Sequence, residues 1–455
     1  MFYIYVAFFL LFFGPYNVDG HMKSNQNDKV IVCYVASWAA YRPGNGAFSL
    51  ENLHPKYCTH LIYAFAGLNA SDWTIKSIDP WGDIEKDGIG NYRKMTMLRK
   101  QGLKVLLGIG GWNEGSTNYS MMASSSDRRK TFIASTVKFL KTYEFDGLDL
   151  DWEFPANRGG AAYDKQNFVS LVQELRGAFK YYRFLLTAAI NGDKNTINTG
   201  YDIPEISKYL DYIHVMAYNY HGAWDKQVLP NTPLRSKDHL NVEYTIMYLL
   251  QQGAPAEKLV LGLAMYGRTF VLKSVPETPK INPIGLPSLH SGFKGPYILD
   301  DYIMGFNEIC EELVLHAQDW TIGWDNYSST SYAINENRVI VYDDRKAIMM
   351  KVEYAKKQKL AGVMIWSIDM DDFRGTCSLQ SYPLMQTINI VLANNAVSHE
   401  EKKESNAVSH EEKKESNSSS MQLPSNIVFA LSITIISFSL YANIYLSHQR
   451  IAKLI

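Results

Sequence analysis

Three carboxylic acids stand at alternate positions in Asp149-Leu-Asp151-Trp-Glu153, preceded by Asp146-Gly-Leu and followed by Phe154-Pro155. Side chains of an extended strand alternate between faces, so Asp149, Asp151 and Glu153 share one face while Leu148, Leu150 and Trp152 share the other. Acids stacked on one face repel each other when all are ionised. Such crowding raises at least one pKa, and a carboxyl kept protonated near neutral pH is a general acid. A calcium loop opening at Asp149 would need Gly at its sixth position and Glu at its twelfth, where this chain has Phe154 and Gly160. A solvated acidic edge strand would need no interleaved Leu, Leu and Trp. The pattern therefore reads as catalytic, with Asp146, of opposite parity, expected to be structural.

These acids need a frame. From residue 28 to 392, apolar β-rich runs alternate with helix-like stretches. Strands are predicted at Val30–Ala36, His60–Phe65, Lys104–Ile109, Gly147–Trp152, Phe184–Ala189, Tyr212–Ala217, Leu259–Ala264 and Gly362–Ile365. Helices are predicted at Arg128–Tyr143, Tyr163–Phe179, Val242–Gln252 and Arg345–Gln358. Continuous apolar strands alternating with helices imply a parallel sheet covered on both sides, and eight of them fit an α/β fold, the TIM (β/α)8 barrel. The competing doubly wound sheet lacks its glycine fingerprint, because Gly108-Ile-Gly110-Gly111 has no third glycine at the required place. On a barrel, Glu153 falls at the C-terminal end of the fourth strand, where such folds carry their active sites. Nearly 100 residues separate strands seven and eight. Residues 268 to 340, with strand-like Ile322–Trp324 and Val339–Tyr342, are therefore expected to form a small α+β insertion walling one side of a cleft.

Composition narrows the partners. The 455 residues carry 45 Lys plus Arg against 46 Asp plus Glu, a net charge of −1, which argues against nucleic acid. At 46% hydrophobic and 20% charged, the chain is not disordered as a whole. Aromatic residues make up 13%; most are expected in the core, and those at a cleft could stack on sugar rings. The four cysteines, Cys33, Cys58, Cys310 and Cys377, have no close Cys-x-x-Cys spacing, so neither a metal site nor a cofactor is expected.

The two ends have their own character. Phe2 to Phe13 is apolar but too short to span a bilayer, and Val18-Asp19-Gly20 resembles a cleavage site, so residues 1–20 read as a secretory signal peptide. An uncleaved anchor is the alternative. A secreted chain would pair its cysteines into two disulfides, with three pairings possible. Asn69, Asn118, Asn326 and Asn417 are candidate glycosylation sites. Residues Asn395 to Ser405 recur unchanged as Asn406 to Ser416, so 393–426 reads as a charged, disordered stalk. Residues 427–446 carry no charge and would span about 30 Å as a helix, enough to cross a membrane. Arg450 and Lys453 in 447–455 would then lie in a short cytoplasmic tail. A lipid-anchor signal at Asn417-Ser418-Ser419 is the competing reading, against which the basic extension tells. The large domain would face the extracellular side of the plasma membrane or be secreted.

Several separated motifs bring the chain close to a known family. It resembles the glycoside hydrolase family 18 chitinases, of the animal chitotriosidase-like type, over nearly all of 28–392. The resemblance rests on Asp146-x-x-Asp149-x-Asp151-x-Glu153, Gly108-Ile-Gly110-Gly111-Trp112, Met216-Ala-Tyr218, Tyr266-Gly-Arg268-Thr-Phe270, and Gly362 to Phe373. It implies hydrolysis of β-1,4 linkages between N-acetylglucosamine units of chitin or chitooligosaccharides, by a retaining mechanism without a protein nucleophile. By resemblance, Glu153 is acid and then base, Asp151 holds the substrate acetamido group, Asp149 shares charge with Asp151, and Tyr218 bonds the acetamido oxygen. Trp366 would floor the central sugar subsite, with Trp112, Tyr266, Arg268, Met216, Asn219, Tyr34, Phe65 and Phe154 around it.

The same resemblance implies disulfides Cys33–Cys58 and Cys310–Cys377. There is no cysteine after Cys377, so no Cys-rich chitin-binding module is expected, and soluble chains are favoured over crystalline chitin as substrate. Phe154 stands where the family usually has Tyr. Asn219 stands where it commonly has Asp, which removes an anion and should lower the pKa of Glu153. Endo versus exo action and oligomeric state are not readable. A chitinase-like lectin, displayed at a cell surface and without turnover, is the alternative function.

Overall fold

The apolar runs become strands as their β-branched character predicts. A computed structural model of the chain describes residues 29–394, apart from 279, 378 and 379. Eight parallel strands span Val30–Ala36, His60–Asn69, Lys104–Gly110, Gly147–Asp151, Leu185–Asn191, Tyr212–Met216, Leu259–Ala264 and Gly362–Trp366. Each pairs with its sequence neighbour in the barrel, and the first strand also pairs with the eighth, so the sheet closes and leaves no barrel edge. Helices including Ser126–Tyr143, Asp164–Lys180, Val242–Gln251 and Arg345–Lys357 lie between strands. This is the expected (β/α)8 barrel.

Six barrel strands end a few residues from expectation, and two of those differences bear on the site. The second strand runs on to Asn69 because Ala66–Asn69 pair antiparallel with a short strand, Thr74–Ser77, which sequence reading did not anticipate. The fourth stops at Asp151, where Asp151 O accepts a hydrogen bond from Gly111 N at 2.8 Å; Glu153 thus stands beyond the strand, at the barrel mouth.

The insertion starts slightly earlier than expected. Its five-stranded antiparallel sheet consists of Tyr266–Val271, Ile303–Gly305, Thr321–Asp325, Thr330–Asn335 and Arg338–Tyr342, with helix Phe306–Leu315 beside it. Tyr266–Val271 leaves the seventh barrel strand after one intervening residue, so Tyr266 and Arg268 enter the insertion directly from the barrel mouth. The disulfides are Cys33–Cys58 and Cys310–Cys377, the pairing the family resemblance implied. The second joins the insertion helix to the segment after the eighth strand.

Among the described residues no helix is long and apolar enough to cross a membrane. Residues 1–20, the repeat stalk from 395, the stretch 427–446, the tail 447–455 and Asn417 all lie outside the described residues. Of the other sequons, Asn118 and Asn326 are exposed and Asn69 is half-buried.

Candidate active site

Glycine makes room for the acid strand. Gly110 (φ +114°) lies so close that a Cβ there would sit 2.2 Å from Asp151 O, and a Cβ on Gly111 would strike the Phe65 ring at 2.7 Å. The three acids then diverge in environment. Asp149 is fully buried and saturated: Oδ2 accepts from Tyr34 Oη at 2.5 Å, and Oδ1 accepts from Thr187 Oγ1 at 2.5 Å. His214 Nδ1 lies 3.0 Å from the same Oδ1. Asp151 is also buried, yet its Oδ1 has no hydrogen-bond partner. Burial, then the neighbouring Glu153 and Asp149, hold its pKa well above the usual carboxylate range. Burial raises Glu153 to about 7, with Arg158 pulling the other way. The expectation that crowding keeps a carboxyl protonated near neutral pH thus has a sharper physical cause, because desolvation outweighs the like charges. Asp146, as its parity implied, is structural: Oδ2 accepts from Val105 N at 2.9 Å and faces Arg99 Nε at 3.1 Å.

A second group forms where the sixth strand meets the insertion. Asn219 Oδ1 accepts from Tyr266 Oη and Arg268 Nη2, both at 2.6 Å. Asn219 holds φ at +59°, a left-handed conformation that Asn tolerates better than most residues. Arg268 is buried, and its Nε lacks a partner. Tyr218 is buried edge-on to Tyr266, and its hydroxyl meets only the Met364 sulfur, at 3.8 Å. Met216, half-buried, ends the sixth strand.

Trp366 is half-buried and stacks on Phe65, with ring centroids 5.8 Å apart and planes at 18°. Trp112 is 60% exposed. Tyr34, expected along the cleft, is instead 1% exposed: its ring lies edge-on to Trp366 and its hydroxyl serves Asp149. Phe65 and Phe154 are likewise buried, so neither presents an open aromatic face. The strand parity of Tyr34 and Phe65 is compatible with both the interior and the mouth, and only tertiary packing chose.

Sequence reasoning passed over four residues here. Trp38 is 43% exposed and stacks on Phe65 at 6.0 Å, and Trp224 is 43% exposed with the Arg268 guanidinium over its ring at 4.8 Å. Both follow C-terminal ends of barrel strands, the side that carries barrel active sites, and that position was the signal available. Thr187 and His214, which hold Asp149, carry no local motif at all. The one grouping of potential metal ligands among the described residues, Cys310, Asp372 and Cys377, includes both cysteines of a disulfide, which leaves no thiolate for a metal.

A closed (β/α)8 barrel with a buried acid, a raised-pKa carboxyl at its C-terminal mouth and exposed tryptophans has the layout of a barrel hydrolase. Residues 30–371 match the family model of glycosyl hydrolases family 18. The Probable chitinase 2 of Drosophila melanogaster is 45% identical over 394 residues, covering 80% of this chain and 80% of that protein. The crystal structure of the Ostrinia furnacalis Group IV chitinase has a TM-score of 0.76 at 40% identity, covering 80% of this chain and 100% of that one. The structure of the same enzyme in complex with allosamidin gives 0.76 at 40% identity, covering 80% and 99%. This chain belongs to glycosyl hydrolases family 18.

Proposed function

We propose that the protein is a chitinase that hydrolyses β-1,4 linkages between N-acetylglucosamine units of chitin or chitooligosaccharides, with retention and with the substrate's own acetamido group as nucleophile. The observation that carries this reading is the pairing of Glu153, raised to about 7, with a buried Asp151 oxygen that has no partner. Glu153 donates its proton to the glycosidic oxygen as the bond to the anomeric carbon breaks. The acetamido oxygen attacks that carbon and closes an oxazolinium ring. Asp151 accepts the acetamido N–H on its unfilled oxygen and so orients the group, and Tyr218 donates to the acetamido oxygen. Asp149, held by Tyr34, Thr187 and His214, keeps Asp151 in place. The Glu153 carboxylate then takes a proton from the water that opens the ring. Holding nucleophile and electrophile in one molecule removes the entropic cost of bringing them together.

Trp366 floors the sugar whose bond is cut, while Trp112, Met216 and Asn219 shape the groove and the buried Tyr266 and Arg268 hold Asn219 in place. The buried rings of Phe65 and Phe154 support it from below. Two disulfides support an oxidising, extracellular setting. In this reading residues 1–20 direct secretion, 28–392 form the catalytic unit, and the charged repeat 393–426 is a stalk. The apolar stretch 427–446, as a spanning helix or lipid-anchor signal, would tether the enzyme at the cell surface. Hydrolysis of a defined N-acetylglucosamine oligomer tests the function. Wild type should release products of retained anomeric configuration and Glu153→Gln should not; oligomer binding by both without turnover by either would leave a lectin.

A further inference from the structure

The loop that follows the acid is tightly held. Asp164 is fully buried and accepts from Ala156 N (3.1 Å), Ala161 N (2.8 Å) and Ser120 Oγ (2.7 Å). Ser116 Oγ donates to Phe154 O at 2.8 Å and accepts from Trp152 Nε1 at 2.6 Å. Left-handed backbone at Ala156, Arg158 and Gly159 turns the chain sharply. Arg158 is therefore displayed from a fixed base. Its Nη1 donates to Trp112 O at 3.0 Å and to Glu153 O at 3.1 Å. Its guanidinium carbon lies 3.4 Å from the centre of the Trp112 ring system, which is van der Waals contact.

We propose that Arg158 is a positioning residue that braces the acid-bearing end of the fourth barrel strand to Trp112, covering one face of the indole so that the leaving-group sugar stacks on the other. The side is fixed by barrel order. Trp366 ends the eighth strand, across the ring from the fourth, whereas Trp112 follows the third and neighbours Glu153. A sugar on Trp112 thus lies on the acid's side of the scissile bond. A guanidinium suits this task better than an ammonium, because its plane can stack on an indole while its N–H groups reach two carbonyls. The brace also places a cation by the acid. Glu153 is surrounded electrostatically by Asp151, Tyr201, Tyr218 and Tyr266, and Arg158 is the cation that acts on it.

The inference rests on the hydrolase reading, and its two functions can be separated in the full-length protein with soluble N-acetylglucosamine oligomers. Arg158→Gln removes the charge. The alkaline limb of the kcat profile, where Glu153 loses its proton, should move up by about 0.5–1 pH unit. Arg158→Lys keeps the charge but loses the planar stack. That limb should stay while KM rises about 2–5-fold, and this rise should vanish in a Trp112→Ala background. An unmoved limb in Arg158→Gln, an unchanged KM in Arg158→Lys, or a KM effect that persists without Trp112 would each overturn the brace. Failure of the hydrolase reading looks different, because wild type itself would then lack turnover. In that case oligomer affinity read from tryptophan fluorescence decides: unchanged affinity in Arg158→Lys overturns the brace, and a Trp112-dependent loss supports it.

Discussion

Two runs of acids sit at the mouths of opposite barrel strands, and they are held differently. After the eighth strand, Asp369 accepts from Ala36 N at 3.2 Å and pairs with Arg42 at 2.7 Å. Asp371 accepts from the backbone N–H groups of Asp372, Leu384 and Met385, and Asp372 accepts from those of Thr376 and Cys377. All three are buried with their oxygens engaged. Within the fourth strand, Asp149 is engaged in the same way, but the buried Asp151 Oδ1 at its end is not. A shifted pKa does not separate the two clusters, since burial pushes both Asp371 and Glu153 up to about 7. Donor saturation does. An acid whose oxygens are filled by protein donors ties chain segments together, whereas a buried oxygen at the barrel mouth that no protein group fills is open to a donor from a ligand.

That contrast can be broken by substitution. The largest effect is expected for Glu153→Gln, which should lower turnover about 10²–10⁴-fold with an unchanged melting temperature. Next, Asp369→Ala strands the mostly buried Arg42 guanidinium and should cost about 3–5 kcal/mol in denaturant unfolding. Both clusters would prove structural if Glu153→Gln destabilised the fold as much as Asp369→Ala does. Asp151→Asn should lower kcat about 10²-fold while changing stability little, because burial already favours the neutral carboxyl and the amide that replaces it has the same shape. A loss of stability without loss of kcat would place Asp151 with the structural acids. The smallest effect is expected for Asn219→Asp, which adds an anion beside the unsaturated cluster. Its charge would be largely offset by Arg268, so the alkaline limb of the kcat profile should rise by less than about 1 pH unit. An unmoved profile would count against an electrostatic link between position 219 and Glu153.

Much of this is legible in the amino-acid sequence. The eight barrel runs and the insertion followed from apolar periodicity and spacing, with boundaries off by a few residues where a hairpin or a strand end intervened. Alternation alone placed Asp149, Asp151 and Glu153 on one face and set Asp146 apart. Tyr34 was legible as a residue of interest but not in its place, because a strand position at the barrel rim fits both a wall and a buried support. Trp38, Trp224 and Arg158 escaped notice, since a loop residue's orientation is set by the loop's own anchors, such as Asp164 beneath Arg158.

The sequence by itself determined the fold class, the acid spacing and the family motifs, because these depend on periodicities of a few residues that any local segment must obey. The tertiary structure alone decided which acids are filled and which are open. The donors to Asp149 come from Tyr34 and Thr187, 115 and 38 residues away, and those to Asp369 from Ala36 and Arg42, 333 and 327 residues away. Hydrogen-bond saturation depends on ångström-scale meetings between distant parts of the chain, and no local pattern encodes it.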